Sequence, residues 1–274
     1  VSLSIVIPAC NEGGYIDACL AALLASSGPE GAQVIVAANG CTDDTVARAL
    51  AHTPAFAARR WQLLVMDLPA LGKMGALDAG EAMADFPARV YLDADVLVSP
   101  PLMAQIAGAL AGPGAVYASG TPVVTAESWV TRAFARFWTR LPFVAEGVPG
   151  FGLYAVNGAG RARWGTFPRI ISDDTYVRVL FTPAERVKVP APYRWPLVEG
   201  FDRLVKVRRR QDQGVSELMA LEPGLMANEG KDAPGKGWLI RRALADPIAF
   251  GVYAAVKIAV RAGWGAQTGW VRGR

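Results

Sequence analysis

The chain has 274 residues, 52% hydrophobic and 19% charged, which suits a globular protein with one large core or a core plus a small appendage. Its net charge is +4, with a single histidine, His52, and three cysteines, Cys10, Cys19 and Cys41. That inventory excludes a multi-histidine metal centre, and neither the number nor the spacing of the cysteines suits a disulfide framework or a zinc knuckle. Any metal would be held by oxygen.

The N-terminal VSLSIVIPACNE lacks a basic leader and reaches Pro8, Asn11 and Glu12 too early for a secretory segment. A cytoplasmic protein is expected. Runs rich in β-branched and apolar residues then recur: LSIVIP (3–8), QVIVAA (33–38), QLLVMD (62–67) and RVYLDADV (89–96). Between them lie helical stretches, YIDACLAALLA, TDDTVARAL, in which Thr42 can cap, and GKMGALDAGEAMAD. The alternation predicts an α/β fold of right-handed βαβ units, a mostly parallel sheet flanked by helices.

After Asp95 the rhythm changes. PPLMAQIAGALA reads as a helix, GAVYAS as a strand, and AESWVTRAFARFWTRL as an amphipathic helix entering the Gly- and Pro-bearing loop PFVAEGVPGFG. Between Arg186 and Arg210 stand eight basic residues against Glu199 and Asp202, a pattern suited to a phosphorylated ligand, an anionic membrane surface or a solvated face. Nucleic acid is not expected, because no aromatic interleaving or reader motif accompanies the charge. From Gly235 the chain reads as two helical pieces broken at Asp246-Pro247, too interrupted by Lys257 and Arg261 to span a bilayer. This tail suits either a membrane surface, with Trp238, Trp264 and Trp270 at the interface, or packing on the body.

In an open parallel sheet the ligand crevice lies beyond the carboxyl ends of the strands. Those ends are followed by Pro8-Ala9-Cys10-Asn11-Glu12, by Asn39-Gly40-Cys41-Thr42-Asp43, by Gly72-Lys73, and by Asp93 and Asp95. Read as an extended strand, YLDADV places both acids on one face, where burial demands a cation. Magnesium or manganese suits them and bridges diphosphate oxygens, with Lys73 adding charge at a helix N-terminus. A nucleotide diphosphate is the expected ligand.

A second acidic pair, Asp173-Asp174, opens a helix-like run in FPRIISDDTYVRVLF, where helix capping competes with general-base catalysis. Downstream, Arg209 and Arg210 within KVRRRQ are candidates to neutralise a departing diphosphate, although a plain basic helix face gives the same letters. Trp164 and Trp195 are candidates for the acceptor site, against the commoner fate of core packing.

In this order, IVIPACNE (5–12), ANGCTDDT (38–45), GKMGALDAG (72–80), YLDADV (91–96) and GRARWGTFPRIISDDTYV (160–177) resemble the inverting nucleotide-sugar glycosyltransferases of family 2. The resemblance implies a GT-A (Rossmann-like) fold with a helical C-terminal extension. It implies that Pro8, Ala9 and Glu12 border the nucleotide, Asn39 faces the base and Lys73 lies near ribose or phosphate. Asp95, with Asp93, would engage a diphosphate through Mg2+ or Mn2+. Asp174, preceded by Asp173, would be the base that activates an acceptor hydroxyl on a glycan, a lipid-linked molecule or a small molecule. Residues 1–98 would form the nucleotide-sugar-binding half, 99–230 the acceptor and base half of the same domain, and 231–274 a basic amphipathic tail, with an anionic membrane surface as its partner. Location would be cytoplasmic, or peripheral on the inner face of the cell membrane.

Three departures qualify the match. Ala38-Asn39 replaces a common acidic pair, Asp78 stands where Asn is frequent, and RRRQDQG replaces the QxxRW of processive synthases. With no spans, single addition fits better than polymerisation. LDADVLV also resembles the first motif of haloacid-dehalogenase-type phosphatases, but no lysine falls between Lys73 and Lys188 to bind the phosphate. A non-catalytic module binding nucleotide sugars or membranes is the third reading.

Overall fold

The computed structural model describes residues 1–230 and 233–264; Trp270 lies outside the described residues. Its first half alternates as β1 (Leu3–Ala9), α1 (Ile16–Leu24), β2 (Gln33–Asn39), α2 (Thr45–Ala51), α3 (Thr53–Ala58), β3 (Gln62–Leu68), α4 (Gly72–Ala82) and β4 (Ala88–Leu92). β2 is buried throughout and β1 almost so, as apolar runs covered by helices on both faces should be. β3 is half-exposed, as an edge strand. All four pair in parallel in the order β3-β2-β1-β4. The order reverses between β1 and β4, which opens a crevice at their carboxyl ends.

β4 is shorter than the pattern YLDADV suggests. The Asp93 N–H turns to the Gly152 carbonyl at 2.8 Å, and the Val96 N–H closes back on the Asp93 carbonyl at 3.1 Å. Asp93 and Asp95 therefore occupy a turn beyond the strand, and the period-two reason for placing them side by side does not apply.

The second half continues as β5 (Leu97–Val98), α5 (Leu102–Ala109), β6 (Tyr117–Thr125), α6 (Trp129–Trp138), α7 (Pro142–Ala145), β7 (Leu153–Val156), α8 (Gly158–Arg161), α9 (Asp173–Val179), β8 (Arg186–Pro196), α10 (Phe201–Leu221), α11 (Lys236–Ala245) and α12 (Pro247–Arg261). The sheet runs on as β4-β7-β6-β8-β5. β7 is antiparallel to β4 and β6, β8 is parallel to β6, and β5 is antiparallel to β8.

Alternation along β1 divides the core. Leu3, Ile5 and Ile7 face Ile16, Leu20, Phe56, Leu102 and Ile106 from α1, α3 and α5. Val6 faces Leu77, Tyr91, Tyr154, Trp164 and Phe167 on the other side. A Cβ on Gly80 would come within 2.5 Å of Val6 Cγ1, so glycine lets α4 lie close on the sheet, with Lys73 at its N-terminal end. A third apolar cluster joins Phe134, Trp138, Phe151, Trp195 and Leu204 to the inner side of α12, Val252, Tyr253, Val256 and Ala259. The tail thus packs on the body. Its break falls where the sequence placed it: Pro247 opens α12, and Asp246 caps it through the Ala249 N–H at 3.0 Å.

Candidate active site

At the β1/β4 crevice lies a cavity of about 230 Å³. Pro8 from the end of β1, Lys73 from the start of α4, Asp93 after β4, Tyr154 of β7 and the Ser172-Asp173-Asp174 start of α9 form its polar end. Phe134, Trp138, Phe151, Trp195, Leu197, Val198 and Leu204 form the other, with Arg208, Arg210 and Gln211 of α10 on its wall.

Lys73 binds the polar end together. Its Nζ lies 2.9 Å from Asp93 Oδ1 and 3.0 Å from Asp173 Oδ1. Burial would lower the pKa of this ammonium, but the fields of Asp173 and Asp93 outweigh it and hold it above the usual lysine value. Asp173 is buried, and its second oxygen accepts from the Tyr154 hydroxyl at 3.0 Å. Tyr154 is itself fixed between the rings of Tyr91 and Tyr117, at 4.7 and 6.0 Å.

Asp174 has different surroundings. Its Oδ1 accepts from the Thr175 N–H at 2.7 Å. Burial, followed by the charge of Asp173, raises its pKa from the usual carboxylate value to about 6, with Lys73 opposing the rise. The helix that carries both acids is anchored behind by Arg178, which is buried and donates to the Glu229 carboxylate at 2.5 Å and to its backbone carbonyl at 2.9 Å. Asp78 Oδ1 accepts from the Phe167 N–H at 2.9 Å, so this departure from the common asparagine fastens the segment leading to α9.

The turn carrying Asp93 depends on Gly152. With φ at +62° it is in the left-handed region, and a Cβ there would meet Trp195 Cδ1 and Val96 Cγ2, both at 2.8 Å. Its carbonyl is the one that receives the Asp93 N–H.

Of the residues singled out in the sequence, Pro8, Lys73, Asp93, Asp173, Asp174, Trp195 and Arg210 line the cavity, while Ala9, Glu12, Asn39, Asp95, Trp164 and Arg209 do not. Ala9, Glu12 and Asn39 belong to the adjoining loop ends, which are knitted together: Glu12 N–H donates to Thr45 Oγ1 at 2.8 Å, and Thr42 N–H to Asn11 Oδ1 at 2.6 Å. Asn39 is buried and its side-chain oxygen accepts from the Leu71 N–H at 2.6 Å, which fixes the loop ahead of Lys73. Two placements correct the expectation. Trp164 is 7% exposed and packs in the core, its ring 5.9 Å from Phe167 and covered by Arg161. Arg209 turns to the backbone carbonyl of Trp264 beyond α12.

The cavity uses Arg208 instead, which donates to Gln211 Oε1 at 2.7 Å and lies over the Trp138 ring at 5.8 Å. At ~100° per residue Leu204, Val207, Arg208 and Gln211 share one helix side, whereas Arg209 points away from it; helical phase was the signal that could have found it. Tyr154 carried no comparable signal.

An α/β sheet with this strand order, four parallel strands giving way to a mixed half, and with an acid that follows β4 and one that opens α9 joined through Lys73 at its switch point, is the GT-A architecture of nucleotide-sugar glycosyltransferases. The family model described as Glycosyl transferase family 2 matches residues 4–161, and the chain belongs to that family. This decides against the dehalogenase-type resemblance. Among solved structures it is similar to the mannosyltransferase PcManGT from Pyrobaculum calidifontis in complex with GDP-Man and Mn2+, with TM-score 0.57 and 20% identity over 97% of this chain and 76% of that one. Glucosyl-3-phosphoglycerate synthase from Mycobacterium tuberculosis, with Mn2+, UDP and glucosyl-3-phosphoglycerate, aligns with TM-score 0.52 and 18% identity over 80% of this chain and 79% of that one. TarS of S. aureus aligns with TM-score 0.55 and 14% identity over 81% of this chain, which spans 39% of the TarS chain. No curated protein matches in sequence.

Proposed function

We propose that the chain transfers one sugar from a nucleoside-diphosphate sugar to an acceptor hydroxyl with inversion at the anomeric carbon. The observation that carries this reading is one cavity in which Lys73 joins the donor-side acid Asp93 to the acidic pair of α9, with Asp174 lining the same cavity; burial and the charge of Asp173 raise the Asp174 pKa to about 6. In the reaction Asp174 accepts the proton of the acceptor hydroxyl while that oxygen attacks the anomeric carbon from the side opposite the diphosphate. The bond to the diphosphate breaks, and the nucleoside diphosphate leaves with the electron pair. A base whose pKa lies just below neutrality is ionised and still basic enough to take part.

The side chains present suit a hard divalent ion. Asp93 lines the cavity and Asp95 follows it in the same turn, outside the lining, so in this reading Asp93 is the carboxylate that meets the ion and Asp95 the second one within its turn; among the described residues no set of three or more His, Cys, Asp or Glu gathers around a metal position. A two-carboxylate site leaves room for phosphate oxygens and water, as magnesium sites commonly do. When bound, Mg2+ or Mn2+ would neutralise the leaving diphosphate. Pro8, Ala9, Glu12 and Asn39 border the nucleotide in this reading, Arg208 and Arg210 face the diphosphate, and Trp195 faces the acceptor.

A hydrolysis screen of nucleotide sugars, with Mg2+ or Mn2+ and with a chelator, tests the reading. The expected result is turnover of one donor class that the chelator abolishes. Asp174→Ala should then lower transfer by about 10²–10⁴-fold with donor affinity retained by calorimetry. Full activity in that variant would move the base to Asp173 or elsewhere, and donor binding without turnover on any acceptor would favour the non-catalytic module.

A further inference from the structure

α12 is apolar on two sides. Ala249, Val256 and Ala259 are buried against α6 and α10. Ile248, Gly251, Ala255, Ile258 and Ala262 are exposed, and their spacing of three and four residues gathers them into one stripe. Ile248 and Ile258 are 62% and 65% exposed; on the preceding α11, Ile240 and Leu244, one turn apart, are 59% and 79% exposed. Single surface aliphatics are ordinary, but an exposed apolar stripe running from Ile248 to Ala262, with Arg261 at its margin, marks a contact surface.

The charge carried by α11 and α12 themselves has one sign. α11 and α12 carry Lys236, Arg241, Arg242, Lys257 and Arg261 and no acid. Asp246 between them is 2.9 Å from Arg136 and 4.0 Å from Arg140; Lys257 has Asp212 at 3.6 Å. The sequence beyond residue 264 adds Arg272 and Arg274 and no acid. Among the described residues no helix is long and apolar enough to cross a membrane, so a bilayer would be met from its surface.

We propose that α11 and α12 dock the protein on an anionic lipid bilayer, the stripe entering the headgroup boundary and the basic side chains meeting lipid phosphates. A second copy of the chain could also cover such a stripe. A two-fold contact sets a patch against itself and would bring basic rim to basic rim; an anionic surface turns the same charges into attraction.

Flotation of the full chain, without donor or acceptor, on vesicles of phosphatidylcholine alone or with one quarter phosphatidylglycerol tests this. The chain should float with the anionic vesicles, less so at high salt, and little with the neutral ones. Ile248→Glu with Ile258→Glu should reduce the partition coefficient at least about ten-fold. Arg241→Glu with Arg261→Glu should reduce it roughly five-fold or more per site. All four positions are exposed, and an unchanged melting temperature verifies that each variant is folded. A chain that stays below the vesicles overturns the proposal. So does vesicle binding indifferent to the glutamates. The readout involves no sugar transfer and stands apart from the role given to Asp174.

Discussion

Asp173 and Asp174 are neighbours with opposite surroundings. Asp173 is held from both sides by Lys73 and Tyr154, whereas Asp174 is pushed to a pKa of about 6 chiefly by burial. Transfer by the proposed base should accordingly rise with pH through about 6, read as kcat/KM against pH. The sign for stability is the reverse. A carboxyl whose folded pKa lies above its unfolded value, 3.8, contributes stability below the latter and loses it as pH rises through the former. Asp174→Asn should therefore raise Tm at pH 8 by a few degrees, at about 2–4 °C per kcal/mol, with the gain vanishing near pH 4, while transfer is lost. Tyr154→Phe removes a donor from the buried Asp173, at a cost of roughly 1–3 kcal/mol. We expect a lower Tm and a lower kcat with donor KM changed less than about two-fold, since the hydroxyl removed is the one committed to Asp173; an unchanged kcat would restrict Tyr154 to packing.

Among the elements, α10 separates adjacent arginines by phase. Arg208→Ala should lower kcat/KM about ten-fold or more through loss of a charge-assisted contact to the diphosphate. Arg209→Ala, on the side that meets Trp264, should stay within about two-fold of the parent. Equal losses in steady-state kinetics would place the diphosphate elsewhere. The same difference shows what the letters carry. β1 to β4 and the helices between them are legible because apolar runs are punctuated by Gly, Pro and Asn. β8 was hidden: RVKVPAPYRWP reads as a basic, proline-bearing stretch, yet Val189, Ala191 and Tyr193 are buried at period two while Pro190, Pro192 and Arg194 are exposed. In the α9 pair the letters allowed either a helix cap or a base, and only the three-dimensional approach of Lys73 and Tyr154 distinguishes the two acids.

At the scale of the molecule, one sheet runs unbroken through residue 98, since β4 pairs with β7. The segments on either side of residue 98 therefore share one folded body, and α12 seals onto that body through α6 and α10. The family match ends at residue 161, before Asp173, Asp174, Trp195 and Arg208, so the proposed base and the acceptor wall lie beyond the matched residues. One cluster of side chains spans from that wall to the inner side of α12. The apolar wall of the cavity, from α6 and α10, and the inner side of α12 thus form one packed unit, with the outer stripe on its far side. If that stripe rests on a bilayer, the proposed transferase would work beside any acceptor held there by a greasy anchor.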